Sequence, residues 1–205
     1  MPVIIFQAPV YKFLALIDHL AKDMEKKILD CGAGGRRPPL ALFHEHGFKS
    51  YGIDISENQI RRANEFAHNE GMHLNIIRGD MRDLPYEDET FSFVYTYNTI
   101  FHLTKKDIKK AIDEIRRVLK EGGLFYVNFM SVEDNMYGEG KELEKGEFLQ
   151  IEGGEEIVHT FLEDNEIDDY FDGFDFVLRE KRYVRMPTIC KDYEACYFDC
   201  IVQKK

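Results

Sequence analysis

Apolar residues near the start of the chain recur at three- and four-residue spacing: Val10, Phe13, Leu14, Ile17, Leu20 and Ala21. That period predicts a helix with one buried face. Pro9 suits its first turn, where a missing N–H costs little. Lys27 to Cys31 is a short apolar run entering glycines, which reads as a strand and then a tight loop. Pro38 and Pro39 precede a second helix, Leu40 to His46, stopped by Gly47.

The alternation continues. Phe48 to Asp54 reads as a strand, and Ser56 caps a helix running to about Asn69. Ser56-Glu57-Asn58-Gln59 fits a capping box. Gly71 ends that helix, and His73 to Arg78 is the third strand. Phe91 to Tyr97 is apolar or aromatic apart from Ser92 and Thr96, as suits a strand buried on both faces. Thr104 opens a long helix to Lys120, with Ile108, Ala111, Ile112, Ile115, Val118 and Leu119 on its apolar face. Gly122-Gly123 is expected to end it, and Leu124 to Phe129 forms the fifth strand.

Strands alternating with helices predict a doubly wound parallel sheet with right-handed crossovers and helices on both faces. The last third differs. Ser131 to Gly154 is rich in Gly and Glu and weakly periodic, which predicts a surface insert, or lid, over residues 131–160. Ile157 to Phe161 reads as a short strand and Glu163 to Phe171 as a short helix. Phe174 to Arg185 and Glu194 to Gln203 read as two strands joined by a loop containing Pro187. With no helix between them they are expected to pair antiparallel, as a bulged hairpin at the sheet edge.

At 205 residues, 44% of them apolar and 32% charged, the chain suits one soluble domain. No apolar run reaches the length of a membrane span, and the first residues lack the basic region and cleavage site of a secretory signal. The net charge of −11 argues against nucleic acid as a partner, because phosphate contacts need a basic footprint. Cys31, Cys190, Cys196 and Cys200 form no CxxC pair and no histidine clusters with them. No metal site is expected, and a reduced, cytoplasmic compartment fits. A monomer or a homodimer is equally compatible.

Open α/β sheets bind ligands beyond the carboxyl ends of their strands. There the chain places Asp30-Cys31-Gly32-Ala33-Gly34-Gly35-Arg36 after strand one, Asp54 after strand two, Asp80 after strand three, and Asn98 with His102 after strand four. Asp54 lies 24 residues beyond Asp30. A carboxylate there can accept from both hydroxyls of a ribose. The plainer alternative is a partner for the N-terminus of the following helix. No GxxxxGK[ST] run exists, which excludes P-loop chemistry.

These residues resemble the class I, seven-stranded S-adenosylmethionine-dependent methyltransferases. Asp30, Gly32 and Gly34 match the family's first motif, while its third glycine falls at Arg36, with Gly35 beside it. Residues 79–94, from Gly79-Asp80-Met81 through Leu84-Pro85-Tyr86 to Phe91-Ser92-Phe93-Val94, are similar to the family's "D…LPF…FDxV" block. Tyr86 stands there for Phe and Ser92 for Asp. Residues 115–124 match the segment before strand five. The motifs cover residues 28–129, about half the chain.

The resemblance implies a sheet of order 3-2-1-4-5-7-6 with the seventh strand antiparallel. It implies S-adenosyl-L-methionine as cofactor, held by Asp30, Gly32 and Gly34 at the turn. Apart from the resemblance, Arg36 and Arg37 are candidates to clamp the cofactor's methionine carboxylate. By the same resemblance Asp54 would take the ribose, and Asp80 and Met81 the adenine. Ile55 and Tyr97 are further candidates from the residues themselves, as is Tyr11, which could close over the cofactor from the first helix. Each has a plainer role open: loop capping for Asp30, turn or helix capping for Asp80, core packing for Met81, a solvated helix start for Arg36 and Arg37, and a surface helix face for Tyr11.

The expected reaction is direct displacement of the methyl group onto a small-molecule acceptor. A base is needed only where the acceptor keeps its proton at neutral pH. His102 and Asn98 are the catalytic candidates, and a capping or exposed histidine is the alternative for His102. Tyr97-Asn98-Thr99-Ile100 lacks the prolines that family members acting on base or amide nitrogens carry at this point. A non-catalytic cofactor-binding protein acting through a partner, and a nucleotide-dependent oxidoreductase, are the competing expectations.

Overall fold

The structure, a computed structural model, describes residues 6–186 and 190–205. The loop at Pro187 lies outside the described residues. The elements are α1 (Ala8–Leu20), β1 (Lys27–Cys31), α2 (Leu40–Glu45), β2 (Lys49–Asp54), α3 (Glu57–Asn69), β3 (Ile76–Arg78), β4 (Phe91–Thr96), α4 (Lys105–Val118), β5 (Leu119–Ser131), β6 (Lys141–Glu144), β7 (Glu147–Glu152), β8 (Glu155–Leu162), β9 (Phe174–Met186) and β10 (Cys190–Lys204). Short 3-10 turns occupy Ile100–His102 and Asp168–Tyr170.

The main sheet runs β3-β2-β1-β4-β5-β10-β9, with β10 antiparallel to both β5 and β9. Numbered as seven strands this is the expected 3-2-1-4-5-7-6 order, and β9–β10 is the expected bulged hairpin, with irregularities at Cys190/Glu194 and Ile201/Val202. Helices α1, α2 and α3 bury Val10, Phe13, Leu40, Phe43 and Ala63 against one face of the sheet. Helix α4 buries Ile108, Ile112 and Ile115 against the other, beside Phe171 and Phe174. Among the described residues no helix is long and apolar enough to cross a membrane.

Helix starts follow the sequence. Ser56 Oγ accepts from the Gln59 amide at 3.4 Å, and Thr104 Oγ1 from the Asp107 amide at 3.2 Å. Side-chain oxygens here satisfy amides that the first helical turn leaves without partners.

Four expectations are corrected. Helix α4 ends at Val118 rather than Lys120, because Leu119 is already extended and fully buried beside Phe91 of β4. Gly122 and Gly123 therefore lie within β5, at an irregularity where the pairing moves from Phe91↔Leu119 to Phe93↔Leu124. The third strand shrinks to Ile76–Arg78, preceded by Asn75 at φ 48°. The helix expected over Glu163 to Phe171 is only the 3-10 turn at Asp168–Tyr170.

The expected insert is built of strands, and its last one contains the strand expected over Ile157 to Phe161. It is an antiparallel meander, β6-β7-β8, whose last strand pairs parallel with the end of β5 through Met130↔Phe161 and Ser131↔Leu162. Gly153 and Gly154, at φ 60° and 90°, join Glu152 to Glu155 in the left-handed backbone that tight hairpins require. A Gly-Gly pair between two strands is a hairpin signal, here hidden by glutamates on both flanks. The meander is anchored rather than loose. Thr160 Oγ1 donates to the Leu103 carbonyl at 2.6 Å, and the buried Glu147 accepts from the Lys105 amide at the start of α4 at 2.6 Å.

Candidate active site

The turn after β1 folds around Asp54. Gly34 N–H donates to Asp54 Oδ2 at 3.0 Å, and Ser56 N–H to Asp54 Oδ1 at 2.8 Å. Asp54 therefore braces both the glycine turn and the start of α3, and remains partly accessible. The glycines are required by contact. A Cβ on Gly34 would sit 2.4 Å from Asp54 Oδ2, and one on Gly32, at φ +98°, would sit 2.3 Å from Thr99 Oγ1. The departure at Arg36 has a physical account. Gly35 carries the left-handed backbone at φ +103° and its N–H donates to the Gln59 carbonyl at 3.0 Å, which leaves Arg36 exposed outside the turn.

Asp30 faces the interior on β1, 2% exposed, and its Oδ2 has no hydrogen-bond partner. Burial, then the nearby Asp54 carboxylate, push its pKa up to about 8, against a single opposing hydrogen bond from the Leu40 backbone. Its partner in register on β4 is Tyr95, whose buried hydroxyl also has no hydrogen-bond partner and whose pKa burial raises. Tyr95 stacks on Tyr126 of β5 at 4.8 Å between ring centroids, and Tyr97 lies 6.3 Å from each of these rings.

Asp80 begins two residues past the end of β3, next to Gly79, whose N–H donates to the Asp54 carbonyl at 3.1 Å. That bond brings the ends of β2 and β3 together. The Asp80 carboxylate accepts from Arg82 through Nε, Nη2 and the backbone N–H, and Arg82 also pairs with Asp107 at 2.7 Å. Arg82 holds Asp80 below the usual carboxylate range. Asp80 thus carries the turn-capping alternative, with a third of its side chain accessible. Met81 is buried in the core on the α4 side of the sheet, whereas Ile55, 63% exposed, stands free beside Asp54.

The catalytic candidates lie just past the end of β4 and in the 3-10 turn that follows it. Asn98 adopts φ 53° and exchanges two hydrogen bonds with the buried Asn128 of β5, at 2.7 and 2.8 Å. His102 packs in the 3-10 turn against His159 of β8, ring centroids 4.7 Å apart. Its Nδ1 is buried without a partner and it bonds the Val158 backbone. Burial first, and His159 second, push its pKa down to about 4, so it is neutral at pH 7. Tyr11 accepts from the Phe6 amide at 3.3 Å and lines a groove along α1 with Leu14, Ile17, Met24 and Phe48. No described contact joins it to the glycine turn.

Thr99, Asn128 and Tyr95 belong to this region and were not singled out by sequence. Their only signal is adjacency to Asn98 or membership of a buried strand. Partners from β4 and β5 become neighbours only when the sheet forms. Among the described residues no group of three or more His, Cys, Asp or Glu side chains is placed to hold a metal ion.

A glycine turn bonded to the acid that ends β2, at the carboxyl edge of a doubly wound sheet, defines a Rossmann-like nucleoside-binding protein. A family described as a methyltransferase domain matches residues 29–127. Over 142 residues the chain is 33% identical to sterol 24-C-methyltransferase ERG6B of Gibberella zeae, covering 68% of this chain and 36% of that protein. A solved structure from Methanosarcina mazei described as a SAM-dependent methyltransferase superposes with TM-score 0.74 at 22% identity, covering 92% of this chain and 96% of that one. The PH0226 protein of Pyrococcus horikoshii superposes with TM-score 0.73 at 23% identity, over 96% and 89% of the two chains. The chain belongs to the class I, Rossmann-like S-adenosylmethionine-dependent methyltransferases. It spans 32–36% of the length of the first sterol methyltransferases it matches.

Proposed function

We propose that the chain transfers a methyl group from S-adenosylmethionine to a small-molecule acceptor. The observation that carries the reading is the bonded turn Gly32–Gly34–Asp54 beside a buried carboxylate, Asp30, with one oxygen unsatisfied. The residues fit the cofactor. Asp54 spends two acceptor sites on Gly34 and Ser56 and keeps others for ribose hydroxyls. Asp30 offers its free oxygen to the cationic amino group. The exposed Ile55 supplies an apolar surface for the adenine, and Asp80, fixed by Arg82, offers its accessible edge to the adenine amine.

S-adenosylmethionine, when bound, supplies a methyl group on a sulfonium centre. The protein's part is to hold an acceptor in line with that methyl and exclude water. Asn98, strained at positive φ and clamped by Asn128, fixes the end of β4 on the acceptor side, with Tyr97 as an aromatic wall. His102 is read as a neutral packing group holding the β6–β8 meander against that side. A histidine with its pKa near 4 is a weak base at neutral pH. The acceptor is therefore one that attacks without help from this imidazole. The free, buried Cys31, Cys196 and Cys200 agree with a reduced, cytoplasmic setting.

Calorimetry with S-adenosylmethionine tests the cofactor, and release of the demethylated product during incubation with candidate acceptors tests transfer. Binding without turnover across the acceptor set would favour a non-catalytic binding protein. Binding of a nicotinamide dinucleotide instead would overturn the reading.

A further inference from the structure

Two buried polar groups without partners lie on adjacent strands, one of them on the strand that enters the glycine turn. Asp30 Oδ2 and the Tyr95 hydroxyl are both buried, and the residues are paired in register on adjacent strands. Burying a polar group without a partner costs free energy, and a buried charge costs far more. Asp30 in addition lies near a second carboxylate, Asp54. No described basic side chain bonds Asp30. The stable form of such a group without a counter-charge is the neutral acid.

Its surroundings are accounted for on every side. β2 contributes Asp54, β4 contributes Tyr95, and the Cys31 thiol on β1 lies buried on the other face of the sheet. Helix α2 contributes only the Leu40 amide. Phe13 of α1 and Phe43 of α2 pack on Tyr95 and do not titrate, while Tyr97 and Asp199 also push the Tyr95 hydroxyl's pKa up and Arg182 of β9 opposes them. The one group that would reverse the balance is a cation arriving from the turn side.

We infer, building on the cofactor reading above, that Asp30 and Tyr95 form a proton-exchanging socket. The arrival of the cofactor's ammonium group drives the Asp30 proton to solvent and leaves a carboxylate–ammonium pair. One proton leaves per cofactor bound, and no covalent bond forms or breaks in the protein. The linkage makes affinity depend on pH. Where free Asp30 is protonated and bound Asp30 is not, affinity rises up to about tenfold per pH unit and levels off above about pH 8.

The test is calorimetry of the full chain with S-adenosylmethionine at about pH 6.5, in buffers of differing ionisation enthalpy. The expected result is release of about one proton per cofactor. Asp30→Asn, which keeps the shape and abolishes titration, is expected to bind with no release and with a flat pH profile between pH 6 and 8. Carbon-13 NMR of the Asp30 carboxyl in the unmutated protein gives the same answer without a variant: protonated when free, ionised when bound. S-adenosylhomocysteine keeps the amino group and lacks the sulfonium charge, so it is expected to release the same proton. Cofactor binding without proton release overturns the socket and leaves the methyltransferase reading standing. Release confined to S-adenosylmethionine assigns the counter-charge to sulfur and also overturns it. Failure to bind S-adenosylmethionine at all removes the functional reading and the socket together.

Discussion

Two aspartates lie buried on the same face of the main sheet, and their surroundings are opposite. Asp199 on β10, 1% exposed, accepts from the Tyr126 hydroxyl at 2.5 Å and from two nitrogens of Arg182. Arg182 lies over the Tyr197 ring at 4.9 Å. Asp30 on β1 has one backbone donor and an unsatisfied oxygen. Both carboxylates are equally hidden from water, so burial alone does not distinguish them. Partnership does. The paired acid ties the C-terminal hairpin to β5, and the unpaired one lies near the end of β1, where the chain enters the glycine turn. A buried polar group left incomplete points to function more directly than one whose needs are met.

The strongest way to break the contrast is to remove the paired acid. Asp199→Ala leaves Arg182 and the Tyr126 hydroxyl without their acceptor in the sheet. It is expected to destabilise the fold by about 3 kcal/mol in urea unfolding at neutral pH. A loss below about 0.5 kcal/mol would show that water replaces the pair and that Asp199 is no anchor.

Removing the unpaired acid should do the opposite. The folded-state pKa of Asp30 is raised, so the folded chain holds a proton that the unfolded chain gives up. Stability therefore falls as pH rises from the ordinary carboxylate range to about pH 8, at up to about 1.4 kcal/mol per pH unit. Asp30→Asn is expected to remove that slope and to equal or exceed the unmutated chain in stability at pH 8. Identical slopes in the two proteins would place Asp30 in contact with water or an unseen partner.

A smaller effect sharpens the ligand side of the comparison. Asp54→Ala is expected to weaken S-adenosylmethionine binding at least tenfold, about 1.4 kcal/mol. Unchanged affinity would assign Asp54 to bracing Gly34 and Ser56 alone. The smallest effect concerns the meander. Thr160→Val deletes its bond to the Leu103 carbonyl and should cost about 1 kcal/mol. Faster amide exchange is expected across β6 to β8 and not in the hairpin. Uniform loosening of both would mean that they unfold as one unit.

Much of the architecture was legible because its signals are local. Period and punctuation placed α1 to α4 and β1 to β5 to within a few residues, and capping by Ser56 and Thr104 was readable from two or three positions. The acidic residues at or just past the ends of β1, β2 and β3 could be set at one edge because a parallel sheet places all its strand ends together. The errors came where neighbours distant in sequence decide. Leu119 is extended because β4 lies beside it, and the glutamate-rich strands of the meander hold together by pairing rather than by apolar alternation.

The chain's own order of residues therefore determined the class of fold, the glycine turn and the carboxylates that surround it. What only the folded sheet decided is which of these groups are satisfied. Asp30, Tyr95, Tyr126, Asp199 and Arg182 stand on β1, β4, β5, β10 and β9, which are adjacent in space and widely separated along the chain. Whether a buried acid finds a guanidinium or only a silent phenol depends on what the neighbouring strands bring beside it. No local pattern carries that information.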